Sequence, residues 1–128
     1  MVLDSSVVVA ILLEQAGSEA LIERIRASEI VAIGAPTVFE CSMVIAARVT
    51  QDSRVMVTGM LRQWRAQVVP FTEEHFYAAV EAFLRFGKGR HPAGLNFGDC
   101  MSYAIAYVSG LPLLFTGNDF ARTDIPAA

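Results

Sequence analysis

Four carboxylates occupy neighbourhoods that seldom hold unpaired charge. Asp4 closes the apolar start Met1-Val2-Leu3, and Glu40 sits inside the apolar stretch from Thr37 to Ile45. Asp99 stands between Gly98 and Cys100, and Asp119 follows Leu113-Leu114-Phe115 by a short polar turn. Two ionised carboxylates about 4 Å apart repel by roughly 4 kcal/mol at an effective dielectric near 20. A pocket shared by all four therefore requires a bound cation or altered protonation. A hard divalent metal answers that need with oxygen ligands alone, and metals of this kind do chemistry on phosphates.

The elements that must position these acids belong to one domain spanning residues 1–128, large enough to bury roughly two-thirds of its unfolded surface. Hydrophobic residues make up 54% and charged residues 18%, which excludes disorder and leaves apolar surface for self-association or a partner. The longest apolar run, Val7 to Leu13, falls far short of the roughly 18 residues of a membrane span. Asp4 precedes any basic residue and no small-residue cleavage site follows, so a signal peptide is not expected. The expectation is a soluble, cytoplasmic protein without membrane attachment. The net charge of −3 gives no global attraction for nucleic acid, so such a partner would need a local basic patch. Cys41 and Cys100 lack a metal-binding spacing and read as buried small hydrophobes.

Short apolar runs alternate with helical patterns. Val2-Leu3 reads as a strand, and residues 5–13 as a buried helix capped by Ser5 or Ser6. A second helix starts at Gly17-Ser18, and residues 30–33 form a strand stopped by Gly34 and Pro36. Helices then run from Thr37 to about Val49 and onward from Asp52-Ser53. Val68-Val69 is a third strand closed by Pro70. Thr72 opens a fifth helix with Phe76, Ala79, Val80, Phe83 and Leu84 as its inner face. Residues 87–94 form a loop, a sixth helix runs from Asn96 to about Ser109, and residues 112–115 form a fourth strand. The fold class is α/β, a three-layer sandwich with a short, mainly parallel sheet flanked by helices. In such sheets chemistry gathers at the carboxyl ends of the strands, where Asp4 and Asp119 fall. Glu40 and Asp99 lie in first turns of helices that start on the same side.

Each acid also has an ordinary structural explanation. Thr37 with Glu40, and Asn96 with Asp99, have the spacing of capping boxes. Asp4 could cap a helix, and Asp119 could serve a turn. The conjunction of all four favours a site. Gly87-Lys88-Gly89 resembles phosphate-binding loops only superficially, because Pro92 and the missing hydroxyl break both patterns. His75 and His91 read as surface residues. Arg85, Lys88, Arg90 and His91 form a small basic cluster leading towards Asp99, able to hold a phosphate backbone or simply to be a solvated loop.

At these residues the chain resembles the PIN-domain ribonucleases, and in particular the VapC toxins of type II toxin–antitoxin pairs, over essentially its whole length. The resemblance rests on Val2-Leu3-Asp4-Ser5-Ser6, on Pro36-Thr37-Val38-Phe39-Glu40, on Leu95-Asn96-Phe97-Gly98-Asp99-Cys100 running into an alanine-rich helix, and on Thr116-Gly117-Asn118-Asp119-Phe120. It implies Mg²⁺- or Mn²⁺-dependent RNA cleavage restrained by a cognate VapB-like antitoxin, and a homodimer or larger assembly. Asp4 and Asp99 would be the principal metal ligands, Glu40 a further ligand or water orienter, and Asp119 the fourth acid, with Asp124 as its competitor. Ser5, Thr116 and Asn118 would support the site.

The reaction expected is metal-assisted phosphodiester hydrolysis without a nucleophilic side chain. A phosphorylation-controlled signalling module would instead want an acidic pair after the first strand and a late lysine, whereas serines follow Asp4 and the one lysine is Lys88. A catalytically inactive PIN fold that binds RNA or a partner is the other alternative.

Overall fold

The computed structural model describes residues 1–128. β1 (Val2–Leu3) leads into α1 (Ser5–Leu12) and α2 (Ser18–Arg26), and β2 (Ala32–Gly34) into α3 (Ala35–Ala46) and α4 (Ser53–Gln63). β3 (Gln67–Val69) leads into α5 (Glu73–Phe86) and α6 (Phe97–Ser109), and β4 (Leu113–Leu114) into a 3-10 turn (Phe120–Arg122). All strand pairs are parallel, in the order β3-β2-β1-β4. Val2 stands opposite Ala32 on one side and Leu113 on the other.

Successive strand residues face opposite sides of the sheet, and both sides are buried. Val2, Ala32 and Leu113 enter a core with Ala82 and Phe86 of α5 and Tyr103 and Ala104 of α6. Leu3, Ile33 and Leu114 enter a second core with Val8, Ile25, Ile45 and Leu61 from α1 to α4. The expected three-layer α/β sandwich follows directly. The chain leaves β1 for β2 and β3 on one side, then returns to place β4 on the other. The crevice between the ends of β1 and β4 is therefore the switch point where open α/β sheets hold ligands.

Several boundaries differ from expectation for local reasons. α3 begins at Ala35 with Pro36 in its first turn, because proline there loses no useful N–H and has a helical φ. Thr37 is therefore inside the helix and buried, so it is no N-cap and the box with Glu40 does not form. β2 lies further along than residues 30–33, leaving Ile30 exposed. It includes Gly34, where a Cβ would meet Ile105 Cγ1 at 2.8 Å. That glycine lets α6 lie close to the sheet. Asp4, rather than Ser5 or Ser6, caps α1.

The inner face of α5 is His75, Ala79, Ala82 and Phe86, while Phe76, Val80, Phe83 and Leu84 are exposed. Two alanines bring α5 against α6 more closely than a row of aromatics would allow. His75 is buried, against the surface expectation, and its Nδ1 accepts the Thr72 N–H at 3.1 Å. His91 is half-buried, with Nδ1 accepting the Ala93 N–H at 3.1 Å. The sheet also continues past β4: Leu113 N–H donates to Pro126 O and Ala128 N–H to Leu113 O, both at 2.9 Å. No helix is long and apolar enough to cross a membrane.

Candidate active site

Asp4 follows β1 and is 3% exposed. Its Oδ2 accepts the Ser6 N–H at 3.0 Å, and its Oδ1 is buried with no hydrogen-bond partner. An ionised oxygen left unpaired in a protein interior is costly unless a cation meets it. Ser6 also accepts the Thr116 N–H on its Oγ at 3.0 Å, stitching the end of β4 to the start of α1. Ser6 was not among the expected site residues; the doubled serine after Asp4 was the available signal.

Asp99 occupies the third position of α6. Its Oδ2 accepts the Asn96 N–H at 2.8 Å, while Asn96 Oδ1 accepts the Asp99 N–H at 3.0 Å. The capping-box explanation is thus correct for Asp99, yet it does not exhaust the residue. Burial raises its carboxyl above the usual range, the Asn96 N–H opposes that, and the charges of Asp4 and Asp119 raise it further.

Glu40, half-buried one turn into α3, lies against α6. A Cβ built on Gly98 would stand 2.6 Å from its Oε2 and 2.7 Å from its Oε1. Its carboxyl is also raised, first by burial and then by the charge of Asp4. The Ser5 hydroxyl lowers it and Asp99 raises it again. Asp119 is exposed in the turn that opens with Gly117 at φ +84°. The charges of Asp4 and Asp119 thus reach Asp99, and those of Asp4 and Asp99 reach Glu40. Asn118 and the Thr116 side chain sit exposed in the same turn.

Asp124 stands apart, accepting the Tyr103 hydroxyl at 2.7 Å and Arg85 Nη2 at 2.8 Å. Arg85 is thereby removed from the expected basic cluster. Lys88 and Arg90 are exposed, and Arg90 lies over the Phe83 ring at 5.3 Å. Exposed Arg122, a cation outside the expected cluster, donates to Pro92 O of the same loop at 3.4 Å.

No three His, Cys, Asp or Glu side chains stand ready-made around one point. Mg²⁺ needs only one or two protein carboxylates, because it retains water. Burial, followed by the charges of Glu40 and Asp4, pushes the Cys41 thiol up to about 12, and burial, followed by the charge of Asp99, pushes Cys100 to about 11. Both thiols are thereby disfavoured as anions, and the unpartnered buried donor at the crevice is a carboxylate oxygen, Asp4 Oδ1. An orphaned, buried oxygen on Asp4, whose charge reaches Glu40 and Asp99, fits a hard divalent cation.

An α/β sheet with acids collected at its switch point is the architecture of the PIN domain, whose family model matches residues 1–126. Ribonuclease VapC36 of Mycobacterium tuberculosis is 42% identical over 126 residues, covering 98% of this chain and 91% of that one. Ribonuclease VapC of Mycolicibacterium smegmatis is 38% identical over 127 residues, covering 99% and 98%. The chain belongs to the PIN-domain family, in its VapC group. Among solved structures, M. tuberculosis VapC20, described as a Sarcin-Ricin loop cleaving toxin, aligns with a TM-score of 0.78 at 16% identity over 99% of this chain and 97% of that one. A toxin–antitoxin complex from Klebsiella pneumoniae aligns with a TM-score of 0.72 at 14% identity, covering 96% and 92%. At those identities the likeness is one of fold.

Proposed function

We propose that this chain is the ribonuclease toxin of a type II toxin–antitoxin pair, a divalent-metal-dependent hydrolase of RNA phosphodiester bonds acting in the cytoplasm. The observation that carries the reading is the buried, unpartnered Oδ1 of Asp4, on a carboxylate whose charge reaches Glu40 and Asp99. The VapC relatives, named ribonucleases, supply the reaction class.

Asp4 and Asp99 would hold the metal, with Glu40 and Asp119 as further oxygen donors. When bound, Mg²⁺ or Mn²⁺ supplies the Lewis acidity that phosphodiester hydrolysis uses. The chain itself contributes placement. Ser6 fixes Asp4 and the end of β4 together, Asn96 orients Asp99, and Gly98 leaves room for Glu40. Lys88 and Arg90 would hold the RNA backbone, with His91 shaping their loop. Ser5, Thr116 and Asn118 would support the site.

The partners are RNA, a cognate VapB-like antitoxin and a second copy of the chain. Their support is the toxin–antitoxin neighbour and the apolar surface beside the acids, where Phe39, Phe76 and Phe97 are exposed. Purified protein incubated with total RNA should cleave it in Mg²⁺ and stop when a chelator is added. Mg²⁺ should also raise the thermal midpoint of the parent, by mass action, and not that of Asp4→Asn. Cleavage that persists in chelator, or that survives Asp99→Asn, would remove the metal-centred reading.

A further inference from the structure

Asp4, Thr37, His75 and Ser102 are the buried polar side chains of the chain. Asp4 belongs to the acidic site and His75 caps α5, which leaves Thr37, 1% exposed, and Ser102, 0% exposed. Their hydroxyls lie 3.3 Å apart, in the one hydrogen bond that joins α3 to α6. Thr37 is one helical turn before Glu40, and Ser102 is one turn after Asp99. Ile105 of α6 packs against Gly34 beside Thr37.

Two buried hydroxyls add little stability relative to apolar groups of the same shape, because each gives up its hydration for one shared bond. At 3.3 Å that bond is long for two hydroxyls, and its energy is small. Direction is what it supplies. Apolar surfaces resist separation but tolerate sliding, whereas the bond between two hydroxyls on facing helices is lost when the helices slide. Tolerance at this junction is tight, since the Glu40 carboxylate already lies against Gly98. We infer that Thr37 and Ser102 form a positioning latch that sets α3 against α6 and thereby the spacing of Glu40 and Asp99. Its consequence for catalysis rests on the ribonuclease reading above; its consequence for the two helix turns does not.

The test compares Thr37→Val, Ser102→Ala, the double variant and Thr37→Ser by two readouts. In RNA cleavage, each single change should lower kcat roughly tenfold with KM within about twofold, as expected for misplaced reacting groups. The double variant should be no worse than either single one, and Thr37→Ser should restore the parental rate. In amide hydrogen exchange of the metal-free protein, residues 38–41 and 98–101 should exchange faster while β1 and β2 keep their protection. Exchange that is unchanged in those turns, or that rises across the whole chain with global unfolding, overturns the latch. So does a parental kcat in both single variants. A parent that cleaves no RNA would sink the ribonuclease reading, and the exchange pattern would still decide the latch.

Discussion

The Glu40 carboxylate rests on the backbone of Gly98, so closely that a Cβ there would fall 2.6 Å from Oε2. Glycine inside a helix costs about 1 kcal/mol relative to alanine. The position therefore gives up some helix stability for the approach of α3 to α6, immediately beside Asp99.

Gly98→Ala should leave the fold intact, with unfolding free energy within about 1 kcal/mol of the parent. RNA cleavage should fall at least tenfold or so, because Glu40 must move. Parallel denaturation and single-turnover assays check this; an alanine variant with parental rates would show that Glu40 can be displaced without consequence.

Asp99 and Glu40 both carry carboxyls raised above the usual range, chiefly by burial. The native state therefore holds their protons more tightly than the unfolded chain. Stability from these groups is fully present below the ordinary carboxylate range, near pH 4, and is lost as pH rises through the raised native values. Asp52 runs the other way, its carboxyl lowered to about 2 by the Arg54 side chain and backbone. Asp99→Asn keeps an oxygen for the Asn96 N–H and removes the buried charge. In chelator it should be more stable than the parent at pH 7, with the difference closing towards pH 4, while cleavage is abolished. Thermal melts across that range decide it, and a variant less stable at pH 7 contradicts it.

Asp119 and Asp124 lie near one another in sequence but in different networks. Asp119→Asn should slow cleavage, since its charge reaches Asp99. Asp124→Asn should lower the unfolding midpoint instead, because it loses the Arg85 ion pair and leaves the Tyr103 hydroxyl with a weaker acceptor. Cleavage by Asp124→Asn should stay near the parental rate. A reversal of these two outcomes in matched assays would reassign the fourth acid.

Replacing Lys88 and Arg90 together with Gln should raise KM for RNA and leave kcat nearly unchanged. The salt dependence of binding should weaken by roughly 0.7 in logarithmic slope for each single-strand phosphate that the loop no longer neutralises. Filter binding from low to moderate salt measures it; an unaltered slope would return the loop to plain solvation.

Much of the fold was legible because apolar runs and helix caps are local. Val2-Leu3 and Leu113-Leu114 read as strands from composition, and Asn96 with Asp99 read as a cap from spacing alone. The departures from expectation share one cause, competition between neighbouring elements. Both faces of α5 are apolar, and the identity of the buried one depends on how closely α6 approaches, which Ala79 and Ala82 permit and Phe76 and Phe83 would not. Thr37 suits an N-cap as well as a core position, and Pro36 decided in favour of the core by starting the helix earlier.

The types and order of the acids, the alternation of strands and helices and the resemblance to PIN-domain proteins were all contained in the chain as written, since each depends on residues close together or on a linear pattern. Which oxygen of Asp4 is left unpaired, which of Asp119 and Asp124 shares the field of Asp99, and how Glu40 meets Gly98 were not. These are distances between segments far apart in sequence, and packing across the sheet and between α3 and α6 sets them.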